Sequence, residues 1–315
     1  MIRILVPCFN EASVIEKTYA ELTEIMQQDS LYNNYKYELL FVDDGSKDNT
    51  LAIIQQLAQQ DDAVKYISFS RNFGKESAMY AGLKASVDAE ALIILDGDLQ
   101  HPPTLIPQMI KYFKEGEDQI VAKRDRTGEN IGRKRVSQLY YAIINKMVDV
   151  TLEDGVGDFR LLSQRAVKEI VNMGEYNRFS KGLFAWIGFE PKVIEYQNVT
   201  RVEGESKWSF SSLLNYGIDG LISFNNKPLR AIIYLGLFIC GLSFLYILFN
   251  FIYTLNYGVS TPGYFTTIFS VLFLGGIQLT SLGVIGEYIG RIYYEVKQRP
   301  LYIVRQSNLN EQEVE

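Results

Sequence analysis

The 315-residue sequence is poor in the residues that usually staple or ligate, with two cysteines, Cys8 and Cys240, and one histidine, His101. Two cysteines so far apart give no disulfide pattern and fit a reducing compartment. A lone histidine beside Pro102 and Pro103 is not by itself a metal-ligand set. The opening MIRILVPCFNE lacks a basic segment, a long apolar run and a small-residue cleavage site, so no signal peptide is expected in it, and the first domain is predicted to stay in the cytoplasm. A net charge of -6 argues against nucleic acid as a general partner.

The most informative absence is local. From Ala231 to Tyr253, and again from Phe265 to Ile285, there is no Asp, Glu, Lys or Arg. At 1.5 Å per residue these runs are roughly 34 Å and 31 Å long, against a hydrocarbon core of about 30 Å. Two membrane spans are predicted, since both runs exceed the usual length of a buried core helix. Lys227 and Arg230 precede the first, Arg291, Lys297 and Arg299 follow the second, and 256–264 between them is uncharged, which puts both termini inside. Apolar positions Phe210, Leu213, Leu214, Ile218, Leu221 and Ile222 recur at helical spacing just upstream and predict an interfacial amphipathic helix. Glycines at 275, 276, 283 and 290 offer small faces for helix packing and point to self-association.

What is present in the first two hundred residues is an alternation of apolar runs and helical segments. Ile2 to Val6, Tyr37 to Val42, Val64 to Phe69, Ala91 to Leu95 and Gln119 to Ala122 read as strands, with helices between them, which predicts an α/β domain with a mainly parallel sheet covered on both faces. Acid stands where the strands stop: Pro7, Asn10 and Glu11 after the first, Asp43-Asp44-Gly45-Ser46 after the second, Asp96-Gly97-Asp98 after the fourth. Asp, Asn and Gly cluster in loops whatever the function. Glu11, Asp43, Asp44, Asp96 and Asp98 at one edge of one sheet are a different matter, because gathered like charges are costly unless something cationic or hydrogen-bonding is held there. Ligands of open α/β sheets sit at that edge. A hard divalent ion with oxygen ligands is the economical occupant, and it would bring a phosphorylated ligand.

The sign of the charge then reverses. Lys123, Arg124, Arg126, Arg133, Lys134 and Arg135 face only Asp125 and Glu129, a pattern of a solvated loop or of a basic flap that attracts an anionic headgroup. Further basic and polar clusters follow at Gly157-Asp158-Phe159-Arg160-Leu161, Arg178-Phe179-Ser180-Lys181-Gly182 and Arg201 to Trp208. Arg and Lys are the usual phosphate clamps.

With these residues in hand the chain resembles the family 2 glycosyltransferases of GT-A fold, and among them the membrane-anchored polyprenyl-phosphate enzymes, such as bactoprenol glucosyltransferases and dolichyl-phosphate mannose synthase. The resemblance rests on VPCFNE, VDDGSKDNT, RNFGKESA, LDGDLQHPP, GDFRL, RFSKG and RVEGESKW in that order, followed by two spans. It implies a transferase domain over 1–207, an interfacial helix over 208–228, two spans within 229–291 (about 231–253 and 265–287) and a cytoplasmic tail over 292–315. It implies that Pro7, Asn10, Glu11, Asp43, Asp44, Lys75 and Asp96 bind a nucleotide sugar, UDP-linked, and that Asp96, Asp98 and Gln100 ligate Mg²⁺ or Mn²⁺. His101 belongs to the same motif, as a turn group or a support for its ligands. Arg126, Arg133, Arg178, Arg201, Ser206 and Lys207 would grip the lipid phosphate or the departing diphosphate. Asp158, with Asp98, is the expected catalytic carboxylate, and Asp158 is expected to orient the acceptor or the sugar hydroxyls.

The implied reaction is inverting transfer of glucose or N-acetylglucosamine to undecaprenyl phosphate at a bacterial plasma membrane, with a separate flippase and an extracytoplasmic transferase using the product. Alternatives are a GDP-mannose enzyme of the dolichyl type and a non-catalytic, membrane-tethered nucleotide-sugar-binding regulator. A processive polysaccharide synthase is disfavoured, because the chain has no Gln-x-x-Arg-Trp motif and too few spans for a polymer channel.

Overall fold

A computed structural model describes residues 1–97, 101–125, 145, 155–197, 227–258 and 263–310. Eight strands form one sheet in the order β7-β5-β6-β4-β1-β2-β3-β8. Its centre is parallel: β1 (Ile2–Cys8) lies between β2 (Tyr37–Asp43) and β4 (Ala91–Ile94), and β3 (Val64–Phe69) pairs with β2. The crossovers run through α1 (Ile15–Asn33), α2 (Thr50–Gln60) and α3 (Lys75–Lys84).

The strands alternate their side chains between two apolar layers, as the two-residue period requires. Ile4, Val6, Leu39, Phe41 and Ile93 pack on one face. Leu5, Leu40, Val42, Leu92 and Ile94 pack on the other. Gly82 lets α3 approach this second face, because a Cβ there would stand 2.2 Å from Leu5 Cδ1. Arg3, only 1% exposed, is a charge buried in the middle of this sheet. Its guanidinium pairs with Glu38 at 2.6 Å and donates to the carbonyl of Ala85, so the buried charge is satisfied.

Beyond β4 the sheet ceases to be parallel. After α4 (Ile106–Lys114) come β5 (Gln119–Asp125), which runs past the predicted end at Ala122, and β6 (Val156–Ser163), antiparallel to both β4 and β5. Helices α5 (Gln164–Asn172) and α6 (Ser180–Trp186) lead to β7 (Pro191–Gln197), parallel to β5. Ser163 caps α5 by accepting from the Ala166 N–H at 3.3 Å. The sheet is therefore mixed, with a parallel core, and Asp158 lies on an antiparallel strand that enters the sheet beside β4.

Two long helices follow, α7 (Lys227–Tyr257) and α8 (Tyr264–Lys297), of 31 and 34 residues. Among the described residues, which leave out the side chains of Cys240, Ile247, Asn250 and Phe251 in the first apolar run and of Phe265, Ile268, Phe269 and Leu272 in the second, no helix is long and apolar enough to cross a membrane. The chain then returns to the domain it left. Within the segment expected to be a cytoplasmic tail, β8 (Val304–Ser307) forms, antiparallel to β3 at the sheet edge. Asn308 reinforces the pairing: its Oδ1 accepts from the Tyr66 N–H at 2.7 Å and its Nδ2 donates to the Val64 carbonyl at 3.0 Å.

Candidate active site

The carboxyl ends of β1, β2 and β4 meet at one edge, and the bonds between their turns fix the order of the site. Asn10 has a left-handed backbone, φ 54°. Its N–H donates to Ser46 Oγ at 2.9 Å, while its Oδ1 accepts from the Lys47 N–H at 2.8 Å. The Glu11 N–H donates to Thr50 Oγ1 at 2.8 Å. Pro7, half-buried, stands beside Val42 in the β1–β2 register. Gly45, at φ +65°, lies so close to the backbone of Arg71 that a Cβ would meet its carbonyl carbon at 2.4 Å. Glycine is required there both for the backbone angle and for the approach.

Asp43 and Asp44 are buried, and both are answered by donors of the protein. Asp43 accepts from Ser68 Oγ at 2.8 Å and from the Ser46 N–H at 3.1 Å. Asp44 accepts from the N–H groups of Phe73 and Gly74 at 2.6 and 2.9 Å. Burial pushes the Asp44 carboxyl above its ordinary value, and these two N–H groups act against the rise. The second acidic turn thus shapes the loop before α3, a role that its residue types alone do not disclose.

Lys75, the first residue of α3, reaches from that loop into the centre of the site. Its ammonium lies 2.7 Å from Asp96 Oδ1 and 2.6 Å from Asp158 Oδ2, bridging the end of β4 to β6. Lys75 is 44% exposed and Asp158 15%, so the pair is open to solvent on the lysine side. Burial alone would raise the Asp158 carboxyl, but Lys75, then Lys181 and Arg160, outweigh it and hold the group at about 2. Burial would likewise lower the Lys75 ammonium, and the two carboxylates raise it instead. Asp158 is an anion at neutral pH.

His101 stands behind Asp96. Its Nδ1 is 2.6 Å from the Tyr196 hydroxyl, its Nε2 is 4.0 Å from Asp96 Oδ2, and a Cβ on Gly157 would meet its ring at 3.4 Å. Thr18 ties the Gly97 carbonyl to α1 with a 2.8 Å bond. The strand end that carries Asp96 is therefore held from two sides.

Glu11, Asp43, Asp44, Lys75, Asp96 and Asp158 come to this edge together. Arg178 does not join them. It is 9% exposed, donates to the carbonyls of Met173 and Ile170 at 2.5 and 3.4 Å, and lies 4.2 Å above the Tyr80 ring. Asp98, Gln100, Arg126, Arg133, Arg201, Ser206 and Lys207 lie outside the described residues, as does 208–226 of the expected interfacial helix. Among the described residues no group of three or more His, Cys, Asp or Glu side chains is gathered for a metal.

Sequence reasoning missed Glu76, Ser180 and Lys181 as individuals. Glu76 accepts the Ser180 N–H at 3.1 Å and its hydroxyl, which seats the start of α6 beside Lys75. The RFSKG motif was the available signal for Ser180 and Lys181. Nothing in the sequence paired it with a glutamate 104 positions away.

Comparison with known proteins agrees with this architecture. The pattern of the glycosyl transferase family 2 matches residues 3–171, and that of the GtrB C-terminal hairpin matches 227–292. A putative glycosyltransferase, CsbB, of Bacillus subtilis (strain 168) is 52% identical over 98% of this chain and 92% of its own length. The SfII prophage-derived bactoprenol glucosyl transferase of Shigella flexneri is 42% identical over 98% of both chains. A solved mannosyltransferase from Pyrobaculum calidifontis, in complex with GDP-Man and Mn²⁺, covers 71% of this chain and 65% of its own at 15% identity and TM-score 0.48, too distant to bear on the site. The acid-ended parallel strands, the Lys75 bridge and the returning hairpin thus belong to a glycosyltransferase of family 2 that carries the GtrB C-terminal hairpin.

Proposed function

We propose that this enzyme transfers a sugar from a UDP-sugar, glucose or N-acetylglucosamine, to a polyprenyl phosphate at the cytoplasmic face of a bacterial plasma membrane. The observation that carries the reading is the likeness, over nearly the whole length of both chains, to a bactoprenol glucosyl transferase, hairpin included. The helices add support. Ile233, Tyr234, Leu235, Leu237 and Phe238 are each at least 46% exposed, and such a run of neighbours covers every side of α7. A helix apolar all round needs an apolar surrounding, and the charge-free sequence is long enough to span a bilayer. The return of β8 to the sheet gives the hairpin both its ends on the side of the transferase domain.

The acceptor oxygen attacks the anomeric carbon, a phosphate–sugar bond forms, and the bond to the nucleoside diphosphate breaks. A phosphate monoester has its second pKa near 6, so much of the lipid phosphate is a dianion at neutral pH and gives up no proton. A carboxylate held at about 2 is a poor base. Asp158 therefore orients the acceptor or the sugar hydroxyls. Pro7, Asn10, Glu11, Asp43 and Asp44 line the nucleotide end, the last two by shaping its turns.

Asp96, with Asp98 and Gln100, would hold a hard divalent cation, Mg²⁺ or Mn²⁺. The donors are all oxygen, and the Lys75 ammonium already bonded to Asp96 marks a spot that attracts positive charge. When bound, the ion neutralises charge on the departing diphosphate. Arg126, Arg133, Arg201, Ser206 and Lys207 remain the proposed clamps for the phosphates.

The reading is tested by incubating purified full-length protein with Mg²⁺, undecaprenyl phosphate and, in turn, radiolabelled UDP-glucose, UDP-N-acetylglucosamine and UDP-galactose. Label entering the butanol-extractable lipid from one of them is expected. Label in none of them overturns the reading and leaves a nucleotide-sugar-binding regulator.

A further inference from the structure

Glu295 lies in the last turn of α8, beyond both charge-free runs. Its Oε1 accepts the backbone N–H of Tyr176 at 2.8 Å and that of Asn177 at 3.3 Å, although the pairs are more than a hundred positions apart. The adjoining Tyr294 stacks on Tyr176, with ring centroids 5.4 Å apart and 6° between the planes. One carboxylate oxygen thus seats two consecutive donors of the loop that follows α5, and an aromatic pair fixes its lateral position.

That loop runs without interruption into the site. Three residues past Asn177, Ser180 is held by Glu76, the neighbour of Lys75. Next comes Lys181, whose charge is among those that hold Asp158 ionised. The far side of the loop is fixed as well: the Arg178 guanidinium lies on Tyr80, and Tyr302, just before β8, packs against the same ring at 6.4 Å and stacks on Phe69 at 4.9 Å. The end of the hairpin therefore grips the loop whose other end supplies charge to Asp158. The nucleotide end is built differently, from bonds among the turns after β1, β2 and β3, none of which involves Glu295.

We propose that Glu295 is a positioning residue for the acceptor half of the site: it sets the 176–181 loop so that Lys181 and Ser180 hold Asp158 and Lys75 in register with the lipid phosphate. The membrane hairpin is then more than a tether, because its cytoplasmic end fixes the geometry seen by the acceptor. This rests on the acceptor reading above.

The test compares wild type, Glu295→Ala and Glu295→Gln as full-length proteins in detergent micelles. Gln keeps one oxygen that can accept both N–H groups, so it is the conservative variant. Amide hydrogen exchange without substrate should be faster in Glu295→Ala by about tenfold over 176–182, and near wild type in Glu295→Gln. With UDP-glucose and undecaprenyl phosphate, Glu295→Ala should lose about tenfold in kcat/KM for the lipid while the KM for UDP-glucose stays within about twofold, and Glu295→Gln should recover most of that loss. Unchanged exchange over 176–182 overturns the proposal. So does a Glu295→Ala variant with wild-type lipid kinetics, an equal loss toward both substrates, or a Gln variant no better than Ala. If the wild type transfers nothing from UDP-glucose, UDP-N-acetylglucosamine or UDP-galactose, the acceptor reading fails and the exchange data alone decide the role of Glu295.

Discussion

At the scale of single residues, the site is organised by Lys75. Its ammonium is shared by carboxylates from two strands that run in opposite directions, and it makes Asp158 a stronger acid than an ordinary aspartate. Replacing it by methionine removes the one ammonium that Asp96 and Asp158 share. Lys75→Met should lower kcat for transfer by about 100-fold, the size seen when a preorganised charge partner is lost, as steady-state kinetics would show. The state of Asp158 also has a sign. A carboxyl depressed to about 2 when folded contributes stability above the ordinary carboxylate range and loses it as the pH falls toward 2. It keeps its charge across the working range, so the acid limb of transfer should lie near pH 6, where the lipid phosphate takes up a proton. Asp158→Asn should lower the rate at every pH from about 6 to 8 without moving that limb. Recovery of the variant toward wild-type rate with rising pH would instead make Asp158 the base.

At the scale of elements, the parallel core was legible because strand burial on both faces leaves continuous apolar runs, and each of β1 to β4 showed one. The edge was not. β8 consists of Val304-Arg305-Gln306-Ser307, a short polar stretch whose pairing depends on β3 and on Asn308 rather than on its own pattern. The acidic turns were legible as a site but not in their division of labour: the sequence cannot tell that Asp44 is spent on Phe73 and Gly74 while Asp96 faces Lys75. Arg178 read as a phosphate clamp because its motif is basic, and only the packing shows its guanidinium committed to Tyr80 and two carbonyls. Gly82 gives a test at this scale. Leu5 is fully buried and has nowhere to move, so Gly82→Val should destabilise the domain by about 1–3 kcal/mol, read as a lower midpoint of denaturant unfolding.

At the scale of the whole molecule, the proposed function has the transferase domain held at a lipid surface by a hairpin whose C-terminal end comes back to the sheet as β8. The proposed topology predicts that, in sealed inverted vesicles, protease reaches both the transferase domain and the segment after α8, while the uncharged segment 256–264 is protected. The direct measurement of the central claim is acceptor dependence. Purified enzyme given its labelled UDP-sugar should put label into the organic phase only when undecaprenyl phosphate is present, and mild acid should release the sugar from that product, as expected of a glycosyl phosphate. Equal labelling without the lipid phosphate, or label found only in water-soluble products, would contradict the account.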